Sequence, residues 1–557
     1  MSFPVEYTPS TQGVDYEANP PIGIDLGTTN SAIARWVNRP RLTGSQVYAL
    51  NQAGSDNDKH LLNSVVYLEY VDGNEALIVG RVAYKQRIAE PDRVALAFKR
   101  TIGNPNTEIQ LGDQSFTPID MSAEVIKALL EDCISQGLRK PEGIVVSVPY
   151  YFKQSQKHNT RLAVERAIAE TFAALPEAER PPLLELIPEP VAAALNYAFD
   201  HLHLPLNQTI LTFDLGGGTL DLMLLRLKMT GTKIDFEVLA TAGKANFGGE
   251  DFDEVLEAYV IDTEAIAFDA QDFKRARQDQ SKLRKEIITA KELLSSHPTA
   301  DISGIQFSDG RYVDTTVSRK EFETLLHGRN IHGRNFGREI EELLDRCLDK
   351  ARVAASSVTT ILPIGGSAQI PFFQQILTNR FAHANMVQAH NREQLLYSVA
   401  KGAALYAAYL LDRSQTALHQ HLNFDREIAL LTRTSHNLGI RRFDGKISVI
   451  IPANTPIFQN LPHKAVKHYW PVPSSDPERI HLPEVDIYQG EDGDYTKIGR
   501  IPVPTSYTHG REPEEIDIKV EFQVTATTAN IQVVIPKGDK EKQDIHLFES
   551  IHLESEN

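Results

Sequence analysis

One stretch of this chain occurs twice, and that constrains the fold more than any other feature. Residues 22–36 read Ile-Gly-Ile-Asp-Leu-Gly-Thr-Thr-Asn-Ser-Ala-Ile-Ala-Arg-Trp. Residues 210–227 read Ile-Leu-Thr-Phe-Asp-Leu-Gly-Gly-Gly-Thr-Leu-Asp-Leu-Met-Leu-Leu-Arg-Leu. Each is an apolar run ending in Asp-Leu-Gly, a Gly/Thr turn and a second apolar run, which is the pattern of a β-hairpin. Either copy alone reads as an ordinary glycine turn. Two copies with the same start predict two related lobes, each presenting a hairpin to a shared cleft.

The turns carry chemistry. Gly27, Thr28, Thr29 and Asn30 place consecutive backbone N–H groups and hydroxyls in one concavity, which suits phosphate oxygens; Gly216, Gly217 and Gly218 do the same from the other hairpin. Asp25, Asp214 and Asp221 then fall beside the phosphates. Carboxylates are tolerated there only with a cation between, and magnesium, which keeps most of its waters, fits. No GxxxxGK[ST] is present, so this is not a P-loop.

The rest of the chain bounds the reading. Its 557 residues exceed one core and predict two to four domains. A net charge of −17 argues against non-specific nucleic-acid binding. Cys133 and Cys347 have no metal-ligand spacing and read as buried thiols of a reducing compartment. His201 with His203 and His419 with His421 lack further ligands and read as surface histidines. No apolar run approaches a membrane span, and residues 1–20 lack the pattern of a signal peptide, so a cytoplasmic protein is expected. Residues 1–20 read as a flexible arm, 21–412 as alternating strands and helices ending in the Ala-rich run 399–411, and 413–432 as a linker. Residues 433–557 read as a compact all-β unit with strands near 446–451, 485–488, 516–522 and 531–535. The charged run 537–542 reads as a solvated turn.

Taken together, the motifs resemble the DnaK-type (seventy-kilodalton heat-shock) chaperones. Residues 23–31 (Gly-Ile-Asp-Leu-Gly-Thr-Thr-Asn-Ser) and 214–219 (Asp-Leu-Gly-Gly-Gly-Thr) are similar to that family's two phosphate motifs. In order follow Val148-Pro149-Tyr150-Tyr151-Phe152, Pro188-Glu189-Pro190-Val191-Ala192-Ala193-Ala194 and Phe247-Gly248-Gly249-Glu250-Asp251-Phe252-Asp253. Gly365-Gly366-Ser367 comes next, then Val485-Asp486-Ile487-Tyr488-Gln489-Gly490-Glu491.

The resemblance implies an α/β, actin-like (ribonuclease H-like) two-lobed ATPase domain followed by a β-sandwich peptide-binding domain; the expected departure is that no helical lid follows, since no long amphipathic helix comes after the β unit. It implies ATP/ADP and Mg2+ as ligands, with K+ as a further ion, and a slow ATPase. Lys99 is implied to reach the transferred phosphate, Glu189 to position the attacking water and Thr219 to touch the γ-phosphate, with Asp214 among the catalytic groups. Asp25, Asp214 and Asp221 are implied to serve the metal. Gly248, Gly249, Glu250, Lys291, Ser295, Gly365, Gly366, Ser367 and Gln369 are implied to line the nucleotide site, and Pro149 and Lys157 to relay its state. Without the motifs, Lys99 would read as a solvated charge and Glu189 as a helix-start acid.

The sequence also departs from the family. Ile288, Gln369 and Leu396 replace polar groups on the adenosine side, which predicts weaker base selectivity. Glu185 stands where a J-domain partner meets an arginine, which predicts poor stimulation by general J-proteins. The linker-like run 428–432 has Thr432 in place of an aspartate. The expected function is an ATP-dependent chaperone acting on unfolded or extended polypeptide, with a specialised J-domain protein and exchange factor as partners, and no nucleic acid or membrane. The alternative is a nucleotide-gated scaffold or regulatory protein with one dedicated partner. A metabolite kinase on the same fold is disfavoured by the residues 248–252 and by the β unit.

Overall fold

The computed structural model describes most of residues 19–413 and, after them, 427–433, 436–441, 446–453, 455–458, 463–469, 485–491, 493–501, 518–524, 528–535 and 545–552. The sequence repeat is its frame. In the first lobe the hairpin Ile22–Asp25/Asn30–Arg39 is extended on one side by the parallel strands Ile144–Val148 and Leu183–Pro188, and on the other by the antiparallel strand Leu42–Val47. In the second lobe the hairpin Asn207–Leu215/Thr219–Thr230 is extended by the parallel strands Thr360–Ile364 and Asn385–Met386 and by the antiparallel strand Lys233–Ala245. The five strands have the same order and the same directions in both lobes.

The parallel strands are covered on both faces, which is why they are continuous apolar runs: every residue of Ile144–Val148 and of Thr360–Ile364 is buried. Helix Pro118–Ser135 packs on the first sheet and begins at a capping box in which Thr117 and Asp120 satisfy each other's N–H groups. Between the lobes lie two helices rich in small residues, Glu189–Asp200 and Ser398–Arg413. Their backbones touch. A Cβ added to Gly402 would sit 1.8 Å from the Ala192 carbonyl oxygen, and one on Gly23 would sit 2.1 Å from the Ala404 nitrogen. Around these helices a core drawn from both lobes, including Trp36, Ile187, Met223 and Leu362, joins them at their base.

Beyond residue 413 the described elements are all strands. Of the expected linker 413–432, residues 414–426 lie outside the described residues. Its end belongs to the strand Glu427–Arg433, which runs parallel to Lys233–Ala245 in the register Lys233↔Glu427 to Glu237↔Leu431. Pro456–Phe458 adds antiparallel outside it. Two four-stranded antiparallel sheets follow, with strands at 447–451, 485–491, 518–524 and 528–535 among them. Buried residues alternate along several of these strands, as in Val485/Ile487, Val520/Phe522 and Ile531/Val533, the pattern of a strand covered on one face. The charged run 537–542, His203, and His419 with His421 lie outside the described residues, as do residues 1–18 of the expected arm. Asn19, at the end of that arm, accepts a hydrogen bond from the Lys140 N–H at 3.1 Å. Cys133 and Cys347 are buried free thiols; burial raises both, Cys347 to about 12. No helix among the described residues is long and apolar enough to cross a membrane.

Candidate functional site

The first turn closes because Gly27 has no side chain: a Cβ there would meet the Asn30 carbonyl oxygen at 2.0 Å. Two buried hydroxyls lock it. The Gly27 N–H donates to Ser31 Oγ at 3.2 Å, Ser64 Oγ donates to the Gly27 carbonyl at 2.8 Å, and the two hydroxyls bond each other at 2.8 Å. The second turn is held from below. Gly365, at φ +81, puts its α-carbon so close to Leu215 that a Cβ would lie 2.5 Å from that carbonyl oxygen, and only glycine takes this conformation without strain. The helix Gly249–Thr263 starts directly under it, its Gly249 and Glu250 N–H groups donating to the Gly216 and Gly217 carbonyls at 3.0 and 2.9 Å.

The two turns meet. A Cβ on Gly217 would be 2.2 Å from Thr29 Oγ1, and one on Gly218 would be 3.3 Å from Thr28 Oγ1 and 2.7 Å from Arg100 Nε. Thus both predicted phosphate cradles face one point from opposite lobes. Lys99, 3% exposed, is on a short 3-10 turn beside them. Its ammonium donates to Glu189 Oε1 at 2.8 Å and to the Leu26 carbonyl. Glu189 is placed by the first turn of its helix, whose start is set by Pro190. A buried pair of this kind is held by geometry, since burial costs both ions their hydration.

Three carboxylates line the same cleft. Asp214 and Asp221 are directly opposed across the second hairpin, and Asp25 ends the equivalent strand of the first, where Ser147 Oγ donates to it at 2.8 Å. Burial, then Glu189, push Asp25 up to about 7, opposed by Lys99 and the Ser147 bond. Burial, with Glu189, Asp221 and Asp25, pushes Asp214 well above the carboxylate range. Like charges opposed across a hairpin are destabilising unless something neutralises them. The donor set fits a divalent cation. Among the described residues no three such side chains converge into a direct cage, so the fit is to a hydrated ion such as magnesium, held through its waters.

On the far side of Gly248 and Gly249 lie the residues expected at the nucleoside. A Cβ on Gly249 would be 2.8 Å from Ser367 Oγ and 3.1 Å from Lys291 Nζ. Lys291 is engaged by the protein itself, 2.7 Å from Asp253 Oδ1 and donating to the Gly249 carbonyl at 2.9 Å. Ser295 caps the same helix, Phe273–Leu294, on which Ile288 also lies. Gly366 and Gln369 bound a 3-10 turn that contains Ser367. Leu396 lies outside the described residues. Pro149 and Phe152 line the cleft beside Lys99, and Lys157 is on the following helix, Gln154–Thr171. Glu185 accepts a hydrogen bond from Tyr406 Oη at 3.1 Å, so it is tied into the fold at the edge of the first sheet.

Sequence reasoning missed Arg100. Its guanidinium crosses from the first lobe to the second, 3.0 Å from Glu250 Oε2 and 3.2 Å from Asp251 Oδ2, and donates to the Gly217 carbonyl at 3.0 Å. Arg334 holds Asp251 from the other side at 3.2 Å. Ser31, Ser64, Ser147 and Asp253 were missed as well. The only signal available for Arg100 was its place next to Lys99.

Comparison with known proteins agrees with this geometry. Residues 21–469 match the family model described as Hsp70 protein. The chain is 31% identical over 477 residues to a protein named Chaperone protein dnaK from Trieres chinensis, covering 78% of this chain and 67% of that one. It is 29% identical over 474 residues to the protein of the same name from Phaeodactylum tricornutum (strain CCAP 1055/1), with the same two coverages. A match over most of the chain, with the repeated hairpins meeting in a carboxylate-lined cleft, places this protein in the Hsp70 family, whose members are ATPases of actin-like fold.

Proposed function

We propose that this chain binds ATP with magnesium between its lobes, hydrolyses it slowly and uses the cycle to control a hold on extended polypeptide. The observation that carries the reading is the meeting of the two repeated turns around Lys99, Glu189 and the three carboxylates Asp25, Asp214 and Asp221. In this reading 21–412 is the ATPase domain, 413–432 the connection and 433–557 a β-sandwich that binds the client, in a cytoplasmic chaperone.

Each residue then has a task. The turn residues Gly27 to Asn30 and Gly216 to Gly218 hold phosphate oxygens, with the Thr219 hydroxyl at the γ-phosphate. Glu189 accepts a hydrogen bond from a water and aims it. The water oxygen forms a bond to the γ-phosphorus, the bond to the β–γ bridging oxygen breaks, and its electron pair leaves with ADP. The Lys99 side chain offsets the negative charge on the transferred group; catalysis is positioning plus charge stabilisation. Asp25, Asp214 and Asp221 would hold magnesium, which would neutralise the phosphate oxygens when bound. K+ is a further ion for the same cleft. Gly248, Gly249, Lys291, Ser295, Gly365 to Ser367 and Gln369 hold the nucleoside. Pro149 and Lys157 carry nucleotide state outward, toward a J-domain partner and an exchange factor.

The test is ATP turnover by the full chain, with and without an extended hydrophobic peptide, beside Lys99→Ala. Peptide-stimulated hydrolysis that the substitution abolishes supports the reading. Ile288 and Gln369 on the nucleoside side favour a second one, a nucleotide-gated protein with one dedicated partner. It predicts binding of ATP with turnover that ignores peptide, and one hit or none on a peptide array.

A further inference from the structure

A cavity lies between the lobes on the side of the turns away from Lys291 and Ser367. Its inner wall holds Lys99, Thr219 and Asp221, and its outer wall holds Gln156, Lys244 and Asn246. Residues 244–246 are exposed, so it runs from the candidate catalytic groups to solvent.

The two sides of the site are divided by main chain. Gly249 adjoins Ser367 and Lys291, Gly248 abuts the backbone of Gly217 and Gly218, and Gly218 adjoins Thr28 and Arg100. Gly217 and Thr29 approach each other across this divide, since a Cβ on Gly217 would lie 2.2 Å from the Thr29 hydroxyl. A phosphate ion freed beside Lys99 therefore has the nucleoside diphosphate between the turns on one side and a solvent-connected cavity on the other. The walls of that cavity carry Arg100 and Lys244. Both already have carboxylate partners, Arg100 in Glu250 and Asp251, and Lys244 in Glu339 at 2.6 Å. A dianion passing them exchanges one partner for another instead of meeting bare cations, which keeps its stay short.

We infer that this cavity is the exit for inorganic phosphate, with its mouth between Gln156 and the segment 244–246, so that phosphate leaves while the diphosphate stays in place. The inference rests on the hydrolytic reading proposed above.

Ala245 tests it. It is exposed at the mouth and pairs in register with Thr219. Full-length Ala245→Trp narrows the mouth, Ala245→Glu repels an anion, and Ala245→Ser is the control. A single turnover of ATP is followed twice: by chemical quench for cleavage, and by a fluorescent phosphate-binding protein for release. The expected result is cleavage within about twofold of the parent with release slowed about tenfold in the Trp and Glu variants, and parental behaviour for Ser. Release that keeps pace with cleavage in both variants overturns the exit. So does a slowing of cleavage equal to that of release, which would mean the variants act on the reaction itself. If the parent chain does not cleave ATP in the quench, the hydrolytic reading falls and takes the exit with it.

Discussion

Gly402 gives the sharpest test of how this site is held. The glycine is inside helix Ser398–Arg413, where intrinsic propensity favours alanine by about 1 kcal/mol. A Cβ there would nevertheless lie 1.8 Å from the Ala192 carbonyl oxygen, whereas ordinary contact begins at 3.4 Å, so the helices must part by the difference, 1.6 Å. Both sides of the clash are backbone, so no rotamer change relieves it. Overpacking of this kind costs ~1–3 kcal/mol, and here the upper end applies. Net of propensity, Gly402→Ala should destabilise by about 2 kcal/mol, a fall in melting temperature of roughly 4–8 °C for a lobe of this size. The larger effect is on function. Ala192 lies on the first turn of the helix that begins at Glu189, and the Glu189–Lys99 bond is 2.8 Å long. A shift near 1.6 Å breaks it, and misplacement of that size costs about a hundredfold in rate. Circular-dichroism melts and ATP turnover read the two effects separately. A Gly402→Ala protein that melts at or above the parent and turns over at the parental rate refutes the argument.

Three further predictions follow from particular residues. Burial raises Glu142 to about 7 from its ordinary 4.5, against the pull of Lys140. The folded state therefore holds that proton more tightly than the unfolded one, and stability falls as pH rises from 4.5 through 7. Glu142→Gln should melt above the parent at pH 8 and level with it at pH 5, and an equal difference at both pH values sinks this assignment. With Ile288 and Gln369 on the nucleoside side, titration should give ATP and GTP affinities within about tenfold of each other, and an ATP preference beyond about a hundredfold refutes weak base reading. A general J-domain should raise turnover less than about twofold in the parent, and more in Glu185→Arg; strong stimulation of the parent overturns the role given to Glu185.

What was legible in the sequence was what local spacing can carry. A phosphate turn needs glycine, threonine and aspartate within a few consecutive residues, so both hairpins and their carboxylates could be read directly, and the doubling predicted the two lobes. Lys99 and Glu189 became legible only through the motifs around them. Arg100 and Ser147 did not, because their partners lie 117 to 151 residues away for Arg100 and 122 for Ser147, and nothing local marks either residue. Lys291 was read as a nucleoside contact, but only the fold reveals that Asp253 engages its charge. The run 428–432 looked like linker because its pairing partner, Ile234 to Glu237, is almost two hundred residues earlier.

That last strand has a second consequence. Without Glu427–Arg433, the outer strand of the second sheet would be Lys233–Ala245, thirteen residues long, with a row of main-chain donors and acceptors open on one side. A long bare strand of this kind is a template for pairing with another chain. Docking covers its first five residues, Lys233–Glu237, and Pro456–Phe458, whose proline has no N–H to offer, covers the end of the docked strand in turn. A fragment cut after Arg413 should therefore self-associate in proportion to its concentration. The segment that follows the second lobe thus also covers a stretch of strand edge with which another copy could pair.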